Sequence, residues 1–175
     1  MLETLNSDIN EYAKGKTWYW YLIPWFFGIY IFTKLLDFEF VGQSAVVVAI
    51  PQAANFIVHE TAHVFMSFAP DIITAAAGSL SELLLGLILI WGAFKGRTYF
   101  ASLFCFLWFM LACQSTADYM SDARTQNLPL VNFDTSGSAP IHDWHFVFDK
   151  LGLLELDTFI GGTIRVIGIL AGVFG

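Results

Sequence analysis

The pattern in this chain best suited to chemistry is His59-Glu60-Thr61-Ala62-His63. Histidines at i and i+4 share one face of a helix, a turn apart, so both imidazoles can grip one metal ion. Imidazole is a neutral ligand that suits zinc, and a zinc-bound water becomes a nucleophile near neutral pH. Glu60, beside the first ligand, is the candidate general base that takes a proton from that water.

Such a site needs a third ligand, and the sequence offers several. Asp118 and Asp122 repeat the i, i+4 spacing, with Gln114 a turn earlier on the same stripe, and His142 follows in a polar segment. Asp118 is preferred for its depth, with the other Asp in support and His142 as a competitor. His145, next along from His142, is expected at the surface near Asp149. Glu82 and Arg165 stand inside apolar segments, where a charge is costly unless it is paired or functional. They are expected to pair with each other, or Arg165 with an Asp of the site, and Arg165 is also a candidate to steady an oxyanion. Measured along a helix from the turn near Pro70, His63 lies roughly 10 Å deep and Glu82 roughly 18 Å, so Glu82 could face the site from below.

The elements that must position these groups read as an all-α, polytopic membrane helix bundle of about five spans (four to six). The spans cover about 17–36, 43–69, 72–94, 98–117 and 158–174. Each approaches the roughly 20 apolar residues needed to cross a bilayer, the last being the shortest. Trp18, Tyr19, Trp20 and Tyr21 suit an interfacial belt, and Pro51 should kink the second span. Residues 125–157 form a polar loop and a short helix, Trp144–Leu151, capped by Asp143 and stopped by Gly152. Its apolar face would be Trp144, Val147, Phe148 and Leu151. Because the second and fourth spans run in the same direction, the motif, both Asp residues and the loop gather on one side of the bundle.

Composition supports a lipid setting. The chain of 175 residues is 57% hydrophobic and 13% charged, with 18 Phe and 6 Trp. A soluble domain has about 25% charged residues. The net charge of −7 and the absence of a basic run exclude a nucleic-acid partner. Residues 1–16 are polar and mixed in charge, with no basic leader or small-residue cleavage site, so the first apolar segment is expected to be retained. Cys105 and Cys113, roughly 12 Å apart along one helix, are too distant to bond to each other. Lys and Arg fall on both sides, giving no orientation.

A HETAH motif near the end of a kinked span, with an Asp from a later span, resembles the site-2 protease family of intramembrane zinc metalloproteases. The resemblance implies His59 and His63 as zinc ligands, Glu60 as the water-activating base and an Asp as third ligand. The combination of HExxH with Asp-Ala-Arg and His-Asp-Trp also looks like a group of uncharacterised bacterial membrane proteins, which implies the bacterial inner (cytoplasmic) membrane. The expected function is a membrane-embedded, Zn2+-dependent hydrolase, foremost a peptidase, with membrane lipids around it and a transmembrane peptide or a lipid as substrate. A lipid amidase or esterase, or a non-catalytic metal-binding or metal-transport protein, are the alternatives.

Overall fold

The computed structural model describes residues 2–37, 46–130 and 141–175, and every regular element among them is helical. Helix α1 (Leu2–Ala13) forms where the sequence alone shows only a short polar segment of mixed charge. A 3-10 turn at Trp18–Tyr21 runs into α2 (Leu22–Leu36). Helix α3 (Val46–Phe65) passes unbroken through Pro51, and the expected start of this span at residue 43 lies outside the described residues. A tight turn leads to α4 (Asp71–Lys95). There Thr74 donates its hydroxyl to the carbonyl of Met66 at 2.7 Å, and Pro70 opens the helix where a backbone N–H is not needed. Gly96, Arg97 and Thr98 reverse the chain into α5 (Tyr99–Ser121).

Helix α5 is the axis of the bundle. Thirteen of its residues are buried, and α2, α3, α4, α6 and α7 (Asp157–Phe174) all touch it. Its tightest neighbour is α7, because Gly161 brings the two backbones together. A Cβ there would lie 2.7 Å from the carbonyl oxygen of Ala117. Small residues permit such approaches in a medium that offers no hydrophobic drive between helices.

Helix α6 (Asp143–Leu151) is the short element that matters most for the site. His142 caps it by accepting the backbone N–H of His145, and Gly152 closes it in the left-handed conformation at φ 66°. Trp144, Val147 and Phe148 are buried with Tyr119, Met120 and Ala123 of α5 and packed by Ile72, Ala75 and Ala76 of α4. Burial of Val147 and Phe148 contributes roughly 1.5–3 kcal/mol each. Leu151, expected on this face, is 54% exposed: it is the last residue of the helix and extends past its neighbours.

The outer faces of the bundle are apolar. Ile23, Ile50, Ile57, Val64, Trp91 and Phe159 are each more than 60% exposed. Large apolar side chains exposed to this extent mark contact with lipid or protein rather than water. By length and composition three described helical stretches can cross a membrane, 71–95, 99–121 and 154–174, against the five read from sequence. Helix α2 proper has 15 residues, roughly 22 Å, because its aromatic opening is 3-10. Helix α3 is diluted by Gln52, Asn55, His59, Glu60 and His63.

Candidate metal centre

His59 and His63 lie in the last two turns of α3, with ring centroids 4.8 Å apart. Each ring is held through Nδ1. His59 Nδ1 is 2.7 Å from Oε1 of the buried Glu82 on α4. His63 Nδ1 is 2.8 Å from the carbonyl oxygen of Thr74, one turn into α4. A carbonyl only accepts, so Nδ1 of His63 carries a proton and donates it; a carboxylate asks the same of His59. Carboxylate or carbonyl support on one nitrogen fixes the tautomer and aims the other nitrogen's lone pair at a ligand.

Both Nε2 atoms aim at one oxygen. His59 Nε2 is 3.5 Å and His63 Nε2 3.3 Å from Asp143 Oδ2. The three ligand atoms lie within 4.8 Å of one another, so His59, His63 and Asp143 form a group that could hold a metal ion. Two imidazole lone pairs and a carboxylate oxygen are all acceptors. They converge without repulsion only around a cation, or with a second proton on each ring. In the protonated form, burial raises the Asp143 carboxyl, but the hydrogen bonds and charges of His59 and His63 outweigh it and hold its pKa down to about 2.

Several local devices place these atoms. Gly78 of α4 leaves room for His59: a Cβ there would meet its Nε2 at 2.5 Å. Any side chain at 78 would therefore displace the His59 ring. Trp144 donates its indole N–H to Ser79 Oγ at 3.0 Å, which pins α6 to α4 and brings Asp143, its first residue, over the histidines. The Tyr119 hydroxyl accepts the backbone N–H of Asp143 at 3.1 Å and donates to its Oδ2 at 3.2 Å.

The other sequence candidates lie elsewhere. Asp118 is paired with Arg165 of α7, which also donates to Gln114 Oε1 at 3.0 Å. Arg165 thus pairs with an Asp outside the group of three, and Glu82 pairs with His59. Asp122 accepts from the Thr125 hydroxyl at 2.5 Å and from the amides of Asn127 and Leu128, both at 2.9 Å, so it ties down the start of the loop. Burial raises its carboxyl, and those three donors hold it below the usual range. His142 is buried, its Nε2 3.5 Å from Asp122, and burial depresses its pKa. His145, expected at the surface, is half-buried with Nδ1 2.8 Å from the carbonyl oxygen of Ala123.

Asp143 was read from the sequence only as a helix cap. The available signal was its place directly before Trp144 in His-Asp-Trp. A residue next to a buried aromatic at a helix start is carried inward with it.

A cavity of about 650 Å³ adjoins the group. Glu60, His59, His63 and Asp143 line it, with Ala49, Ala53 and Phe56 further along α3 and Ser115, Thr116 and Tyr119 on α5. Glu60 is half-buried and lies outside the group of three, so its carboxylate is left for other work. No protein-family model, curated protein or solved structure matches this chain.

Proposed function

We propose that this protein is a zinc-dependent hydrolase of the membrane that cleaves a carbonyl–heteroatom bond, with His59, His63 and Asp143 as ligands and Glu60 as general base. The observation that carries the reading is the convergence of three acceptor atoms beside a free carboxylate in one cavity. Ligands about 2.0–2.1 Å from a tetrahedral zinc stand roughly 3.3 Å from one another. The two His–Asp separations, 3.5 and 3.3 Å, agree with that spacing.

Zinc at such a site polarises a carbonyl and acidifies water. The chain's own residues do the rest. Glu82 and the Thr74 carbonyl hold the rings; Tyr119 and Trp144 hold Asp143. Glu60 takes the proton of the attacking water and returns it to the leaving group. Loss of hydrolysis in Glu60→Gln with one bound zinc retained is the expected result. Loss of zinc in that variant, or full activity without the Glu60 carboxylate, overturns the assignment.

A further inference from the structure

We infer that the substrate is a neutral acyl lipid, with its amide or ester linkage at the metal group and its acyl chain lying along α3 towards the centre of the bilayer. The inference rests on the hydrolase reading above and adds the substrate class.

Length and direction come first. The part of the cavity wall that α3 supplies runs from Glu60 through Phe56 and Ala53 to Ala49, a single stripe of the helix. Eleven residues span roughly 16 Å. Half of a bilayer's hydrocarbon core, the length of one acyl chain, is about 15 Å. The metal group lies against Thr74 and Gly78, in the first two turns of a helix long enough to span, and so in the half of the bilayer entered from the Pro70 end. A chain leaving that point inward follows the groove.

Charge restricts the headgroup. None of the chain's eight Lys and Arg side chains lines the cavity, whereas Glu60, Glu82 and Asp143 do. A phosphate or carboxylate headgroup would enter a negative field with no cationic side chain to meet it. In hydrolysis the acyl C–N or C–O bond breaks. Water gives its oxygen to the acyl carbon, and the proton taken by Glu60 passes to the departing amine or alcohol. The products are a fatty acid and a neutral head.

The test uses zinc-loaded Glu60→Gln protein in detergent, so that binding is read without turnover. The probe is a fluorescent N-dodecanoyl amide without a charged headgroup. Saturable binding is expected. It should weaken by at least about tenfold in Ala53→Trp, which narrows the groove at an exposed position. Zinc content should stay at the Glu60→Gln level in that variant. Dodecyl phosphate should not displace the probe. Displacement by dodecyl phosphate, tighter binding of a transmembrane peptide than of the amide, or equal affinity in Ala53→Trp would each overturn the proposal. Binding of the probe with no hydrolysis by wild type would leave the lipid groove standing and overturn the hydrolase reading instead.

Discussion

Two of the clusters of ionisable groups in the bundle differ in their chemistry. Between α5 and α7, Arg165 is matched to Asp118 and Gln114: a cation with several donors faces an anion and an amide oxygen. Between α3, α4 and α6, two imidazoles and Asp143 converge through acceptor atoms, with their donor nitrogens already engaged by Glu82 and Thr74. The first cluster matches its charges, although Gln114 Nε2 has no hydrogen-bond partner among the described residues. The second has, with neutral rings, more acceptors than donors at its centre, so it could hold a metal ion. Charge buried in an apolar setting is therefore a weak guide to function until the donors and acceptors are counted.

The sharpest way to break this comparison is to remove a ligand. His59→Ala and Asp143→Ala should each abolish retention of zinc through gel filtration, measured by elemental analysis, whereas Asp118→Ala should keep about one zinc per chain. Retention in Asp143→Ala and loss in Asp118→Ala would reverse the roles of the two clusters.

Next in size is Gly78→Ala. The added methyl meets His59 Nε2 at 2.5 Å, so the ring must move and zinc affinity should fall by about 100-fold. Competition with a chelating dye measures it, and an unchanged affinity would mean that the ring is not the ligand.

Glu82→Gln tests the support rather than the ligand. It keeps the shape and loses the charge that polarises His59, and should weaken zinc by about tenfold in the same assay.

The smallest effect belongs to the other cluster. Arg165→Met should leave zinc affinity unchanged and cost about 1–2 kcal/mol of stability, since both partners keep some exposure that screens the pair. Adding Asp118→Asn should recover part of that loss. A metal-affinity change in Arg165→Met would join the two clusters into one site.

Metal addition sharpens the same contrast from the ligand side. Zinc at about 100 times its dissociation constant should stabilise the wild type by about 2.7 kcal/mol in thermal unfolding. It should stabilise Arg165→Met equally and Asp143→Ala not at all.

Much of this was legible in the chain itself. The HETAH pair needs only helical periodicity, which is local, so two histidines on one face follow once α3 is read as a helix. The long apolar runs at 71–95 and 99–121 and the Gly152 stop of α6 are equally local signals. The span count was less legible. Aromatic residues 18–21 continue the apolar run of α2 in composition, yet they adopt a tighter 3-10 turn that the hydropathy pattern does not distinguish.

The third member of the metal group depended on packing. The side-of-the-bundle argument gathers Asp118, Asp122 and His142, and preferring Asp118 for its depth passes over Asp143, which reads only as a cap. The ranking comes from Gly161, which sets α7 against α5 and within reach of Asp118, and from Trp144, whose bond to Ser79 turns the start of α6 towards α4. By itself the sequence determined the long apolar helices, the Gly152 stop of the short helix and the paired imidazoles, because each depends on residues within a turn or two of one another. Only the tertiary structure decided which carboxylate meets those imidazoles and which meets an arginine, because that depends on contacts between helices that no local period encodes.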